Sequence, residues 1–116
     1  HDNDTTRAWW EDDGTSNAQR SAAQAEKERL AFSRALGREP ARPAHDLVSM
    51  VWHSPARTAI APMQDLLNLG GDCRMNRPGT TENNWRWRME PDALTPSLAG
   101  RLGLLTGACG RAPDLE

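Results

Sequence analysis

The chain has 116 residues, of which 26% are charged and 37% are hydrophobic, a composition typical of one small globular domain. Its formal net charge of −2 excludes the dense basic surface with which proteins bind DNA or RNA. No run approaches the roughly 18 apolar residues of a membrane span and no basic-then-apolar leader precedes the first residue, so we expect neither a nucleic-acid nor a membrane partner.

The first predicted helix follows a polar loop. Residues His1–Asp4 (HDND) stand before the helix-like run Ala8–Trp10. Asp4 or Thr5 is placed to cap this helix, because a short polar side chain can accept a hydrogen bond from a free N–H of the first turn. The neighbouring His1 and Asp2 are therefore expected in a loop at a helix N-terminus.

Two further helices are predicted next. After a turn over residues 11–17, apolar residues near helical spacing favour a surface helix from Gln19 to Leu36, and Gly37 ends it. A proline-containing link then leads to Leu47–Trp52, which leaves little polar surface. We predict a buried helix there, with Asp46 as its cap.

A nearly all-apolar segment, Thr58–Met63 (TAIAPM), is typical of a parallel strand that is covered on both faces. Pro62 fits only near the end of such a strand, because it cannot donate to the ladder. Gln64 and Asp65 would then lie just past the strand, where we expect structural rather than catalytic roles. Asp65 is predicted to cap a short helix over Leu66–Leu69.

A long loop, Gly70–Asn84, follows, and loops of that length in compact domains usually bind something. It leads into Trp85–Arg88 (WRWR), which as a strand would place both tryptophans on one face and both arginines on the other. Stacking on single-stranded nucleic acid is one interpretation, but packed tryptophans and paired arginines are favoured. A last helix is predicted over Thr95–Leu105, interrupted by Gly100 and Gly103.

The chain contains five tryptophans and no tyrosine. An indole presents a flat apolar face and one N–H donor, so a tryptophan in an open cleft can stack on the apolar face of a sugar ring. For any single tryptophan here, packing against the rest of the protein remains the favoured interpretation.

The cysteines and the order of the elements complete the general picture. Cys73 and Cys109 lie far apart with no second cysteine near either, so we expect two free thiols in a reducing cytoplasm. The order helix, helix, buried strand, helix predicts an α/β fold made of the last βα units of a larger protein. One strand cannot satisfy its own edge hydrogen bonds, so residues 1–116 are expected to be a single piece of something larger.

Three interpretations remain open for the His1–Asp4 cluster when the residues are taken alone. One histidine and two aspartates without a second histidine give weak support for a metal site. No credible nucleophile accompanies the His-Asp pair to complete a triad. A helix-cap cluster is favoured, although a carboxylate and an imidazole can also bind adjacent sugar hydroxyls.

Three motifs follow one another along the chain. They are His1–Thr6 with Trp9 and Trp10, then Thr58–Leu67 (TAIAPMQDLL), then Arg74–Asn76 with Pro78–Thr80 and Asn84–Arg88. In this order they resemble the 4-α-glucanotransferase family, which includes amylomaltases and plant disproportionating enzymes. The resemblance spans about residues 1 to 88, and its departures from the family pattern are Ala8, where the family often has glycine, and Pro55 before the predicted strand.

The resemblance implies a (β/α)8 TIM barrel of the α-amylase clan, of which this chain would be the C-terminal, incomplete and mostly helical part, with the site at the C-terminal ends of the strands. It implies transfer of α-1,4-glucan segments to the 4-hydroxyl of an acceptor glucan or glucose, with retention, without a metal or organic cofactor. Asp2 would be the third catalytic carboxylate, which stabilises the oxocarbenium-like transition state. His1 would bind the same sugar ring, and Asn76 is a weaker candidate for glucan contact.

Retaining chemistry also needs a carboxylate nucleophile and a separate acid/base carboxyl. In the family both lie on earlier strands, which would precede His1, so we predict that the isolated chain has no transferase activity. The rival hypothesis is a stand-alone, non-catalytic carbohydrate-binding or interaction module. A start in mid-motif and a single predicted strand favour the enzyme segment.

Overall fold

The computed structural model describes residues 1–15 and 20–114, and regular structure in this part of the chain is helical. The element bounds are α1 Thr6–Glu11, α2 Ala22–Leu36, α3 Pro43–His53, α4 Met63–Leu66, a 3-10 turn Gly71–Cys73, and α5 Pro96–Ala108.

Local capping explains where three of these helices begin. The hydroxyls of Thr5, Ser21 and Thr95 accept backbone N–H groups in the first turns of α1, α2 and α5. Thr5 is one of the two predicted caps. Gly37 ends α2 as predicted, with φ 80° in the left-handed region that glycine enters without strain. The predicted start of α2 at Gln19 lies outside the described residues.

Helix α3 is the element against which α1, α4 and α5 pack. Its residues Ala44 and Val48 are buried, whereas most of the predicted apolar run after Asp46 is only half-buried. Helices α1 and α2 meet through an aromatic cluster, in which the Phe32 ring lies 5.9 Å from Trp9 and 5.6 Å from Trp10. The fully buried apolar set is therefore small and centred on helix contacts.

Polar contacts fix the C-terminal end of α5 against the end of α3. The Trp52 indole N–H donates to the Thr106 hydroxyl at 3.2 Å. The Arg111 guanidinium donates to the carbonyls of Trp52, Ser54 and Ala56 at 2.6 to 3.0 Å. One arginine thus satisfies three carbonyls at a helix C-terminus, where a cation also interacts favourably with the helix dipole.

The predicted buried strand over Thr58–Met63 is not formed, and no strand occurs within residues 1–15 and 20–114. Residues 58–62 are non-helical, and Ile60 is 83% exposed. A strand requires a neighbouring strand for its backbone N–H and C=O groups, and the described chain supplies none. The apolar pattern therefore predicted burial that this chain alone does not provide.

Trp85–Arg88 is not a strand either, because Trp85 has a left-handed φ of 60° and is 61% exposed.

Two cap predictions also need correction. Asp46 lies inside the first turn of α3 rather than before it, and its carboxylate reaches back to the Arg42 N–H at 3.1 Å. Asp65 lies within α4, which begins at Met63, three residues earlier than the predicted helix.

Asp46 is 6% exposed and also accepts from the Arg38 guanidinium at 2.8 Å. Burial by itself would raise the pKa of Asp46, but the hydrogen bonds from Arg38 and from the Arg42 N–H outweigh it and hold the pKa below its usual value of 3.8. This carboxylate therefore stabilises the fold above that value, and the contribution is lost as the pH falls through the lowered pKa.

Replacing Asp46 with asparagine is expected to lower the free energy of unfolding by about 2 kcal/mol near neutral pH, because a charged acceptor of two hydrogen bonds is lost. Urea unfolding followed by tryptophan fluorescence measures this, with the exposed Glu39→Gln as the control. The difference from the unmodified chain should shrink in acid. An equal difference at all pH values would contradict the assigned role of the charge.

No helix in the described ranges combines the length and the apolar character needed to cross a bilayer.

Candidate functional site

The polar loop before α1 is held in place by three side chains at the helix N-terminus. The Asp4 carboxylate accepts the Thr5 N–H at 2.8 Å, and the Thr5 hydroxyl accepts the Ala8 N–H at 3.2 Å. Asp65, 59 residues farther along, accepts both the N–H and the hydroxyl of Thr6 at 2.8 Å. Asp65 is therefore structural, as predicted, but it stabilises the start of α1 rather than a helix of its own.

Asp2, His1 and Asn76, the three predicted site residues, come together. The Asn76 side-chain amide donates to Asp2 Oδ1 at 2.7 Å, and His1 Nε2 lies 3.1 Å from the same oxygen. The Asn76 backbone N–H donates to the His1 carbonyl at 3.2 Å. Both side-chain contacts are made to Oδ1 of the Asp2 carboxylate, which is about half exposed. No donor in the described part of the chain contacts its Oδ2.

Arg74 organises this arrangement, although the sequence indicated it only as part of a motif. Its guanidinium donates to the Asp2 carbonyl and to the Asn76 carbonyl, the latter at 2.8 Å, and lies 3.8 Å from the Asp4 carboxylate. The Arg74 side chain is only 14% exposed. A largely covered guanidinium with several donors can fix two separate loops in one geometry.

Trp85 is the second residue that sequence reasoning did not place in the site. The Trp85 backbone N–H donates to the Met75 carbonyl at 2.7 Å, which holds the Trp85 backbone against the Arg74–Asn76 loop. The Trp85 indole lies with its centroid 4.8 Å from the His1 ring, inclined at 43°. In the sequence, Trp85 was visible only as a tryptophan beside a long loop, which could stack on a sugar ring. Its position in the sequence could not distinguish this role from packing against the rest of the protein.

The loop that carries Trp85 is closed by side-chain contacts of Asn84. Its amide oxygen accepts the Arg77 N–H at 2.8 Å, and its amide nitrogen donates to the Thr80 carbonyl at 3.1 Å. The turn Pro78–Thr80 is thereby joined to the residue before Trp85. The predicted functional loop thus forms a defined wall beside Asp2.

Of the site residues, His1, Arg74 and Trp85 border a cavity of about 430 Å³, whereas Asp2 and Asn76 are not part of its lining. The cavity has a volume within the range of small-ligand sites. Its wall combines charged, aromatic and apolar groups, among them His1, Asp4, Arg74, Met75, Trp85 and Pro62. The exposed Trp85 indole offers an apolar face, and the His1 imidazole and the Asp4 carboxylate in the same wall offer hydrogen-bond partners. That combination suits a polyhydroxylated ring, which has an apolar C–H face and a rim of hydroxyls.

A family model described as 4-alpha-glucanotransferase matches residues 1–95. A 4-alpha-glucanotransferase of Synechocystis sp. is 38% identical over 112 residues, which cover 96% of this chain and 20% of the relative. A 4-alpha-glucanotransferase of Thermus thermophilus is 36% identical over 115 residues, which cover 96% of this chain and 21% of the relative.

Among solved structures, the amylomaltase from Streptococcus agalactiae in complex with acarbose superposes with a TM-score of 0.79 at 27% identity. The match covers 97% of this chain and 21% of the amylomaltase chain. The chain thus spans about a fifth of the length of these relatives.

Proposed function

The chain belongs to the 4-alpha-glucanotransferase family, and from this we propose that it is the C-terminal part of an enzyme that transfers α-1,4-glucan segments with retention of configuration. The proposal rests on one observation: the side chains of His1 and Asn76 both contact Oδ1 of the Asp2 carboxylate. These residues were singled out in two motifs more than 70 positions apart, and the fold joins them.

In the proposed mechanism Asp2 binds sugar hydroxyls through Oδ2 and strengthens these hydrogen bonds as positive charge develops on the ring. Asn76 and His1 hold Oδ1 and so fix the orientation of the carboxylate. Trp85 supplies an apolar face next to His1. The nucleophile and the acid/base carboxyl come from the part of the enzyme that precedes His1.

The proposed parent is a TIM barrel whose last strand is the segment Thr58–Met63. The accessible surface of the chain is 8396 Å², whereas a compact monomer of this mass exposes about 6300 Å². Its radius of gyration is 15.8 Å, against about 13 Å for a compact chain of this length. The excess surface includes Ile60, which neighbouring strands would cover.

The proposed substrates are α-1,4-glucans such as maltooligosaccharides, starch or glycogen, supported by the acarbose bound to the amylomaltase of similar fold. A cytoplasmic location is also part of the proposal. It rests on the interpretation of Cys73 and Cys109 as free thiols.

The test is a chimera, defined as the Thermus thermophilus relative with its matching segment replaced by residues 1–116. We expect the chimera to disproportionate maltotriose, measured as released glucose, and the 116-residue chain alone to be inactive. The Thermus relative without the segment is the control, since it lacks the Asp2 carboxylate.

Two outcomes would contradict the proposal. Glucose release by the isolated chain would show that one carboxylate of the proposed three suffices. A folded chimera that binds acarbose but transfers nothing would favour the non-catalytic binding module.

A further inference from the structure

A second cavity, of about 270 Å³, lies between α3 and α5 beside α4, and it plays no part in the proposed transfer reaction. Three basic side chains line it: Arg42 and His45 from the start of α3, and Arg101 from α5. The same wall contains Leu66, Leu98 and Leu102. The cavity is therefore basic on one part of its surface and apolar on another.

The carboxylates nearest to these basic groups are already engaged. Asp65 also lines the cavity, but both of its oxygens accept hydrogen bonds from Thr6 at 2.8 Å. Asp46, next to His45 in the chain, is buried and accepts from Arg38 and from the Arg42 N–H. Within the described residues neither the Arg42 nor the Arg101 guanidinium forms a salt bridge.

The geometry points to a binding site for a small phosphorylated molecule, and we propose a phosphate monoester with an apolar body as its ligand. Two guanidinium groups and an imidazole line the same cavity, and arginine can form two parallel hydrogen bonds with a phosphate. The Arg101 guanidinium donates to the Leu66 carbonyl at 3.4 Å, which leaves its other N–H groups for a ligand. The two guanidinium groups carry two positive charges and Asp65 carries one negative charge, so the lining keeps a net positive charge, which favours an anionic ligand. The leucines accept the organic part of the ligand, and the volume limits it to a small molecule.

His45 reports on occupation of this site. Burial lowers the pKa of His45, the positive charges of Arg101 and Arg42 lower it further, and only Asp46 opposes them. The charged groups near it are Arg42, just before α3, Asp46 on α3 and Arg101 on α5, and Asp65 on α4 lines the same cavity. A bound phosphate adds negative charge beside the ring, so the pKa of His45 should rise when the site is filled.

The 116-residue chain allows a direct test, because it contains only three histidines. Phenyl phosphate is titrated into the chain while the imidazole proton resonances are followed by NMR. We expect a saturating shift of the His45 resonance and a rise in its pKa, with an affinity on the order of 1 mM, as for weak small-ligand binding. His53, in the last turn of the same helix, is the internal control.

Phenol tests the apolar part of the ligand alone, and inorganic phosphate tests the anionic part alone. Each should bind more weakly than phenyl phosphate. Arg101→Gln should weaken binding about tenfold, since one charge-assisted hydrogen-bonding group is removed. Arg34→Gln, on helix α2 outside the cavity, should leave it unchanged. Calorimetric titration of the chimera provides the same measurement in a larger protein in case the isolated chain does not hold its fold.

Equal shifts of His45 and His53 would overturn the proposal, as would binding that Arg101→Gln leaves intact. Absence of saturation in both the chain and the chimera would overturn it too. Because the readout is binding, loss of glucan transfer by the chimera would leave this inference standing.

Discussion

Replacing Asp2 with asparagine in the chimera is expected to lower kcat for maltotriose disproportionation by about a thousandfold, the scale on which removal of a transition-state contact reduces turnover. Asparagine preserves the shape of the side chain and an oxygen that accepts from Asn76, 2.7 Å away in the unmodified protein. It removes the negative charge that should interact with the oxocarbenium-like ring. KM should change much less than kcat, since the lost interaction belongs mainly to the transition state.

The measurement is steady-state glucose release together with far-UV circular dichroism. Asp92→Asn is the matched control, because Asp92 is an exposed aspartate outside the site. A loss of less than about tenfold, 1.4 kcal/mol or less in transition-state free energy, would remove Asp2 from the catalytic machinery. An equal loss in Asp92→Asn would point to a general effect of the substitution.

Arg74 is expected to act as a positioning residue, and Arg74→Ala in the chimera should lower kcat by about a hundredfold, because small displacements of catalytic groups carry costs of that size. The Arg74 guanidinium donates to the backbone carbonyls of Asp2 and Asn76. Within the described residues it forms no hydrogen bond with the Asp2 carboxylate. Without this guanidinium, the two loops lose a shared donor, and the exposed Asp2 carbonyl and the partly buried Asn76 carbonyl each lose a partner.

A purely structural role would lower the melting temperature and leave the kinetics of the folded fraction unchanged, so both are measured. Arg74→Lys should recover only part of kcat, since an ammonium group cannot reproduce the planar geometry of the guanidinium. Arg86→Ala, at an exposed position of the same long segment, is the control. Full activity in Arg74→Ala would refute the positioning role.

Local features of the fold could be predicted from the sequence because they depend on neighbouring residues. Thr5 caps α1 and Gly37 ends α2, and both act on N–H and C=O groups within four positions of themselves. The last helix was predicted but extends to Ala108, beyond the expected end at Leu105, because its glycines do not break it. The motifs containing Asp2 and Asn76 were likewise visible as residue patterns.

The sequence by itself thus determined most of the helices, the Thr5 cap of α1, the Gly37 end of α2 and the family of the chain, whereas contacts between distant segments were decided only by the tertiary structure. Asp65 stabilises Thr6 rather than its own helix, and Arg74 donates to the carbonyl of Asp2, 72 positions away in the chain, as well as to that of Asn76. The apolar run around Ile60 shows the opposite case, since its pattern predicts a strand and the chain offers no partner strand. A cap needs only adjacent backbone groups, but a strand, a buried arginine and a binding site need partners that only folding brings close.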